Sequence, residues 1–208
     1  MSREYLRRYT NIPALIYLLS ERKITLLDPQ SWDDTNDSHY LELYREKMNL
    51  ASVLALCFTR TTQTYHHWRI FANGSSGVCI RFERTKLLNA LMKQPGLRLH
   101  RVTYRRLDKI GAKKPVIAQL PFLKRSAFKY EREFRVIYEG REKKSTKLDI
   151  DIPLSCVDKI TLSPWLPYAL FTRVKRTLRA IDGCGGLAIV RSTLIGNEEW
   201  KKFGESAT

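Results

Sequence analysis

Several common functional motifs are absent from this sequence of 208 residues. Its four cysteines stand far apart and form no Cys-x-x-Cys pair, so a zinc site is not expected. The short glycine clusters lack the Gly-Lys-Ser/Thr ending of a P-loop, and no Gly-x-Ser-x-Gly elbow is present. The sequence therefore argues against a zinc finger, a P-loop nucleotidase and a serine hydrolase.

Long apolar runs and a secretion signal are also missing. No run approaches the roughly 20 apolar residues that a membrane helix needs. Nothing at the N-terminus resembles a signal peptide. We therefore expect a cytoplasmic protein with no membrane partner, and we expect its cysteines to be reduced.

Acidic residues are scarce relative to basic ones. The chain has 37 Lys and Arg against 21 Asp and Glu, a formal net charge of +16. Such an excess favours polyanionic partners, with nucleic acid (RNA or DNA) the leading class. Hydrophobic residues make up 43% of the chain, enough to build a globular core. The candidate nucleic-acid-binding residues are Arg105, Arg106, Lys113, Lys114, Lys143, Lys144, Arg173 and Arg176.

The order of the predicted elements indicates the fold class. Strands and helices alternate in the first half, beginning with a strand and a helix capped by Asn11. The second half adds a predicted strand over residues 97–104 and predicted helices over residues 116–130 and near 167–181, and several of its later strands follow one another without helices. We predict an α+β fold in a single domain spanning residues 1–208, with a mixed, largely antiparallel central sheet flanked by helices.

Two glutamates, Glu131 and Glu133, stand two residues apart near the start of a predicted strand. Alternation from Lys129 puts both carboxylates on one face of that strand, together with Arg135. The pair suits chemistry on a sugar, because one carboxylate can bond a ribose hydroxyl while the other stabilises positive charge at the anomeric carbon. The alternative is a ladder of ion pairs with the neighbouring Lys and Arg residues.

Three aspartates, Asp33, Asp34 and Asp37, concentrate in the turn SWDDTND. Their carboxylates are suitable ligands for a divalent cation, which would fit a metal-dependent nuclease. The commoner role of such a turn is to cap the next helix, and we expect that role here. No metal is predicted.

The aromatic segment over residues 62–72 is predicted to be a short helix. Trp68 and Phe71 lie three residues apart and share one side of it. Trp68 either stacks on nicotinamide or a nucleobase, or it packs in the core, and the sequence leaves both open. His66 and His67 face different directions, so we expect surface or hydrogen-bonding groups rather than ligands of one metal.

Four stretches of the sequence resemble the bacterial and phage family called domain of unknown function 2971. They are YLRRYTNIPALIYLLSERKITLLDPQSWDDTND, CFT, HHWRIFANGSSGVCIRF and KYEREFR, the last resembling the family's Tyr-Glu-x-Glu-Trp-Arg signature. Departures from the family pattern are Asp33 in place of Asn, Thr35 in place of Pro, and Ile70 and Phe71 in place of a His-Tyr pair. Any role of that family histidine is absent here.

The resemblance implies the layout of a divergent ADP-ribosyltransferase, with a split central sheet and NAD as the substrate. By this likeness Arg8, or Arg7, would hold the NAD phosphates, and Thr59 would occupy the family's middle-strand position. Tyr9 or Trp68 would lie against the nicotinamide. These assignments follow from the resemblance alone.

By the same resemblance Glu133 would be the catalytic carboxylate, and Glu131 would assist the acceptor. Arg135, which strand alternation puts on the same face, is the residue that we expect to hold Glu133 by pairing. The leading hypothesis is an NAD-consuming transferase or glycohydrolase that acts on or near nucleic acid, which would suit a toxin or phage-defence protein. One alternative is a basic nucleic-acid-binding module without catalysis. Another is a metal-dependent nuclease built on the aspartate turn.

Overall fold

Eleven strands lie in the part of the chain that the computed structural model describes, which comprises residues 4–72, 74–112, 114–205 and 207. Apolar and β-branched runs form most of the longer strands, in line with their strand propensity. In chain order the strands are β1 (Tyr5–Asn11), β2 (Lys23–Leu27), β3 (Ser52–Thr59), β4 (Gly77–Glu83), β5 (Leu97–Arg101), β6 (Thr103–Arg105), β7 (Leu123–Arg125), β8 (Glu133–Gly140), β9 (Lys147–Asp151), β10 (Val157–Leu162) and β11 (Ile189–Arg191).

Seven α-helices lie in the same described ranges. The first begins as predicted, because the Asn11 side chain accepts a hydrogen bond from the Ala14 amide and Pro13 lies in the first turn. The helices are α1 (Ile12–Glu21), α2 (Thr35–Lys47), α3 (Tyr65–Phe71), α4 (Arg84–Leu91), α5 (Leu107–Ala112), α6 (Tyr168–Ala180) and α7 (Glu198–Glu205), with short 3₁₀ helices at Pro29–Ser31, Ile117–Phe122, Ser126–Glu131 and Leu154–Cys156.

The central sheet divides along β3. One edge of β3 pairs with β8 over its whole length, and β8 pairs in turn with β5. The other edge is shared, since β1 meets it only at Arg7–Thr59 and β2 meets it only at Leu27–Ala55. From there β1 leads to β4, β10 and β11, whereas β2 leads to β9. This is the split sheet that was predicted, and it is antiparallel except for β10 with β11.

One face of the sheet carries the main hydrophobic core. Helices α1, α4 and α6 pack there, and they contribute Leu15, Leu87 and Leu178 among others. From β3 and β4 this face receives residues such as Leu56 and Ile80. The predicted α+β class and the largely antiparallel sheet flanked by helices are therefore confirmed.

The opposite face carries two smaller clusters with a space between them. Helix α2 packs through Leu41 and Tyr44 onto Ala55 of β3, and α3 packs through Trp68 onto Cys79 of β4. Because neighbouring strand residues point to opposite faces, Ala55 and Cys79 lie on the side away from the main core. The wings of the sheet part between these two clusters, which creates a cleft.

Two predicted elements were wrong. Residues 116–130 do not form one helix, because Pro121 cannot donate a helical hydrogen bond, and two 3₁₀ turns with β7 between them occupy this stretch. The predicted strand over residues 97–104 breaks at Val102, whose amide donates to the Glu133 carbonyl. Beyond that point the chain leaves β8 and pairs with β7 instead.

Strand β8 begins at Glu133, so the alternation that was counted from Lys129 does not start there. Glu131 ends a 3₁₀ helix, and Arg132 adopts the left-handed conformation with φ of 45°. The predicted alternation across Glu131 and Glu133 was therefore wrong, since this turn interrupts it.

The four cysteines are free thiols, and three of them are buried. In the described ranges, no helix combines the length and the apolar composition that crossing a membrane requires.

Candidate active site

A cleft of about 680 Å³ opens at the point where the two wings of the sheet part. This volume lies within the range of small-molecule sites in proteins. Side chains from both wings, from α3 and from the turn before α2 reach it. Its lining comprises Arg7, Arg8, Tyr9, Leu27, Ser31, Trp32, Asp33, Asp34, Thr35, Asn36, Asp37, Ala55, Leu56, Cys57, Phe58, Thr59, His67, Ile70, Phe71, Lys124, Phe128, Glu131, Glu133 and Arg135.

Arg135 is the centre of a buried charge cluster on one wall of the cleft, and its side chain is 0% exposed. Its Nε and Nη2 donate to the two carboxylate oxygens of Glu133 at 2.6 and 3.0 Å. Its two Nη atoms donate to the two oxygens of Asp37 at 2.7 and 2.6 Å, and Nη1 also donates to the Pro121 carbonyl at 2.9 Å. All five guanidinium donors are thus used, and Glu133 is held in one orientation.

Lys124 joins the two glutamates. Its Nζ lies 2.8 Å from Glu131 Oε2, 3.6 Å from Glu133 Oε2 and 3.5 Å from Asp37 Oδ2. Although Glu131 lies outside the strand, its carboxylate therefore still reaches the same place as that of Glu133. Two cations face three carboxylates here, which leaves one excess negative charge when all of them are ionised.

The cluster moves the pKa values of its two glutamates in opposite directions. Burial acts to raise the pKa of Glu133, but Arg135 and Lys124 outweigh it and lower that pKa to about 2. Burial raises the pKa of Glu131 above its ordinary value, although Lys124 opposes the shift. Glu133 is consequently held as a carboxylate, whereas Glu131 takes up a proton more readily.

The opposite wall of the cleft carries cations from β1. Arg8 is half-buried where β1 leaves β3, and burial lowers its pKa to about 10. No residue in the described ranges forms an ion pair or side-chain hydrogen bond with it. Arg7 is partly engaged, because its Nη1 donates to the Thr61 carbonyl at 2.8 Å. An uncompensated guanidinium at a cleft is typical of an anion-binding site.

His67 of α3 is buried on that same wall. Its Nδ1 lies 2.6 Å from Thr64 Oγ1, and its ring stacks on Tyr9 with 5.4 Å between the ring centroids. Burial lowers the pKa of His67, so the ring is neutral at pH 7, although the Glu131 carbonyl nearby opposes the shift. Its Nε2 is buried without a hydrogen-bond partner among the residues that the structure describes. A polar atom left in this way at a cleft is a candidate ligand contact.

Four of the residues predicted to bind the cofactor line the cleft, namely Arg7, Arg8, Tyr9 and Thr59. The Thr59 hydroxyl donates to the Glu131 carbonyl at 2.5 Å and accepts from the Thr61 amide at 3.1 Å. It therefore fixes the turn that carries Glu131.

The structure contradicts a stacking role for Trp68. Its side chain is 0% exposed and packs with Ala72 and Cys79, and its Nε1 donates to Gln63 at 3.2 Å. The core alternative is therefore correct. Phe71, one turn further along α3, is 42% exposed and lines the cleft instead. Trp32 also lines it, with its ring 5.2 Å from the Arg135 guanidinium carbon.

The aspartate turn caps α2, as expected. Asp34 is the N-cap residue, and its Oδ1 accepts from the Asn36 amide at 3.2 Å. Asp37 is neutralised by Arg135, which disfavours the nuclease alternative. Across the described ranges, no group of three or more His, Cys, Asp or Glu side chains has the geometry to hold a metal.

The predicted basic residues occupy separate surfaces rather than one. Arg105 and Arg106 lie beside the cleft, where they line a smaller pocket. Lys143 and Lys144 lie in the turn between β8 and β9, at one end of the sheet order, whereas Arg173 and Arg176 lie on α6, which packs against β11 at the other end. Lys114 is exposed after α5, and Lys113 lies outside the described residues.

Sequence reasoning missed Lys124, His67 and Asp37 as parts of the site. The contact between Asp37 and Arg135 joins residues 98 positions apart, so no local pattern encodes it. Lys124 was missed because it lies within residues 116–130, where a helix was predicted. The threonine that caps α3 was the one available signal for His67, because Thr64 both caps the helix and bonds the ring.

Comparisons with known proteins bear on the sequence resemblance. The family described as Protein of unknown function (DUF2971) matches residues 67–136, from α3 into β8. The predicted resemblance is confirmed over that stretch. A search of curated proteins found no match.

The chain also superposes on solved structures of Thermus sp. 2.9 DarT. The complex with carba-NAD+ is 10% identical, with 92% of this chain and 97% of that chain covered and a TM-score of 0.46. The complex with NAD+ is 10% identical, with 92% and 96% covered and a TM-score of 0.46. The complex with ADP-ribosylated ssDNA is 9% identical, with 91% and 94% covered and a TM-score of 0.48.

Proposed function

We propose that this protein consumes NAD in the cleft, and that it transfers the ADP-ribosyl group to nucleic acid or releases it to water. The single observation that carries the proposal is the arrangement of the cleft. A fixed carboxylate, Glu133, lies on one wall, and an uncompensated guanidinium, Arg8, lies on the other. NAD needs both groups. The guanidinium binds its anionic diphosphate, and the carboxylate stabilises the ribose that becomes cationic.

In this proposal each part of NAD has a matching part of the cleft. The diphosphate lies against Arg8 and Arg7. The flat nicotinamide ring, a cationic pyridinium until it leaves, lies in the corner formed by Tyr9, His67 and Phe71, where His67 Nε2 donates to the carboxamide oxygen in the tautomer whose Nδ1 accepts from Thr64. Glu133 accepts a hydrogen bond from the ribose 2′-hydroxyl.

The reaction breaks one bond and forms one. The bond between ribose C1′ and the pyridinium nitrogen breaks, and its electron pair neutralises the departing nicotinamide. Glu133 stabilises the oxocarbenium-like ribose that develops. An oxygen or nitrogen of the acceptor, or a water, bonds to C1′ and loses a proton. The sum is NAD+ plus acceptor giving ADP-ribosyl acceptor, nicotinamide and H+.

The different pKa directions of the two glutamates support the different roles that we propose for them. Glu133 is held ionised by Arg135, as charge stabilisation requires. Glu131 has a raised pKa and, within the described ranges, pairs with one cation, Lys124, so it takes the acceptor's proton more readily. Glu131 therefore acts on the acceptor, and Glu133 acts on the donor sugar.

Nicotinamide release from NAD by Glu133→Gln tests the proposal. The rate is expected to fall by about a hundredfold to a thousandfold, because the developing positive charge loses its carboxylate. Glu139→Gln is the matched control, since Glu139 lies on the same strand and pairs with Tyr44 and Arg98 away from the cleft. A folded Glu133→Gln protein that releases nicotinamide at the wild-type rate would overturn the catalytic assignment.

The non-catalytic binding module is the second candidate, favoured by the net charge of +16. It predicts salt-dependent binding of nucleic acid and no release of nicotinamide at any NAD concentration. Wild-type protein incubated with labelled NAD, with and without nucleic acid, separates the two candidates.

A further inference from the structure

A small parallel ribbon, made of β6 and β7, lies directly beside the charge cluster. Its middle residues contact both glutamates: the Tyr104 hydroxyl accepts from the Glu133 amide at 2.9 Å, and Lys124 pairs with Glu131 at 2.8 Å. The next residues along the two strands, Arg105 and Arg125, are register partners. The element that positions the glutamates therefore also positions a pair of arginines.

The register places two like charges next to each other. Neighbouring strands lie about 4.8 Å apart and register partners leave the ribbon on one face, so the side chains of Arg105 and Arg125 run side by side. Two guanidinium groups side by side present parallel N–H donors, and such donors match the oxygens of one phosphate.

A side pocket of about 110 Å³ lies at this arginine pair. Arg105, Arg106 and Arg125 line it, and so does Lys124, which lines the main cleft as well. Asp34 and Asp37 are likewise common to both linings, so the pocket and the cleft share a wall. A ligand bound at the arginines is therefore separated from Glu131 by this shared wall alone.

The shared wall holds a polar atom without a partner. Asp34 Oδ1 accepts from the Asn36 amide, whereas Oδ2 is buried and has no hydrogen-bond partner within the described ranges. A buried carboxylate oxygen in this situation is satisfied by a ligand that brings an N–H or O–H donor. Nucleobases carry such donors on their edges, next to the phosphates that suit the arginines.

We propose that the arginine pair and its pocket form the acceptor site, where a phosphodiester of single-stranded nucleic acid binds and directs the adjacent nucleotide into the cleft. This inference rests on the proposed function. Arginine suits the task, because its planar donors bond two phosphate oxygens at once. An unpaired nucleotide is required, since Glu131 and Glu133 are only 6% and 5% exposed and a base held in a duplex does not reach them.

The test compares two double variants that remove equal charge. Arg105→Met with Arg125→Met alters the ribbon, and Arg173→Met with Arg176→Met alters the exposed surface of α6. Fluorescence anisotropy with a labelled 12-nucleotide DNA strand, its RNA counterpart and a DNA duplex measures affinity over a range of salt concentrations. We expect the ribbon variant to bind either single strand about tenfold more weakly, and the slope of its log affinity against log salt concentration to become shallower by about one to two. The affinity of the α6 variant should change little.

Equal losses in the two variants, or tighter binding of the duplex than of the strands, would overturn the inference. A second readout keeps it separate from the proposed function. Nicotinamide release without nucleic acid is expected to be unchanged in the ribbon variant, while the KM for the strand in label transfer rises about tenfold. If the wild type releases no nicotinamide, the proposed function fails, and the anisotropy comparison still decides whether the ribbon is the docking surface.

Discussion

The two walls of the cleft differ in whether their polar groups have partners within the described part of the protein. On the wall formed by β7 and β8, Arg135 uses all five donors on Glu133, Asp37 and the Pro121 carbonyl. On the wall formed by β1 and α3, Arg8 has no partner in the described ranges and His67 Nε2 has none either. The buried charges of the first wall are paired within the protein, whereas the second wall leaves polar groups for the ligand that we propose.

This difference separates the positioning of the catalytic group from the binding of the substrate. Buried charges persist only when they are paired, so the complete wall supplies a carboxylate in a fixed orientation. Polar groups without partners destabilise the free protein, and a ligand that hydrogen-bonds them removes that penalty. Substitutions on the two walls should therefore affect different quantities.

The largest effect is expected on the complete wall, from Arg135→Met. Removing the guanidinium leaves Asp37 and Glu133 buried without their partner, which costs about 3–5 kcal/mol of folding free energy. Urea unfolding monitored by circular dichroism measures the loss. If Arg135→Met is too unstable to purify, Arg135→Lys, which keeps the charge but not the fork of donors, provides an intermediate value.

A compensated variant provides the control for Arg135→Met. Adding Asp37→Asn and Glu133→Gln removes the two unpaired charges, so most of the lost stability should return. A triple variant that is no more stable than Arg135→Met alone would mean that packing, rather than charge pairing, holds this wall together.

A smaller effect, on binding rather than folding, is expected from Arg8→Met. Loss of a charged hydrogen bond to the diphosphate weakens NAD affinity by about 1.5–3 kcal/mol, or roughly tenfold to a hundredfold. Stability should stay equal or rise, because a burial-penalised cation is removed. Calorimetric titration with ADP-ribose measures the affinity, and Lys143→Met in the turn between β8 and β9 is the charge-matched control.

The smallest effect is expected from His67→Asn. Asparagine retains a polar atom near Thr64 but removes Nε2, so NAD affinity should fall by about 1 kcal/mol, roughly fivefold. His67→Gln, which places an amide nitrogen near the position of Nε2, should lose less. Equal losses for the two variants would indicate that His67 contributes packing and not a hydrogen bond to the ligand.

Local sequence patterns predicted one part of this site and not another. Strand alternation correctly paired Glu133 with Arg135, because those two residues lie within β8. The same alternation failed at Glu131, because the left-handed Arg132 breaks the strand and only the folded chain returns the Glu131 side chain to Lys124. Asp37 meets Arg135 through packing between α2 and β8, which neither segment encodes alone.

The fold, like the site, was predicted where the sequence signals are local and missed where pairing depends on distant residues. Caps, turns and apolar runs predicted α1 and most of the long strands, since those signals are local. The short ribbon of β6 and β7 was not predicted, because three-residue strands carry too little pattern and their pairing depends on Val102 leaving β8.

A crystal structure of the Glu133→Gln protein with NAD bound is the decisive experiment for the proposed site. We expect the diphosphate against the Arg8 guanidinium, the nicotinamide carboxamide within hydrogen-bonding distance of His67 Nε2, and the ribose 2′-hydroxyl at residue 133. NAD bound elsewhere, or bound in the cleft with Arg8 and His67 both still without a ligand contact, would contradict it.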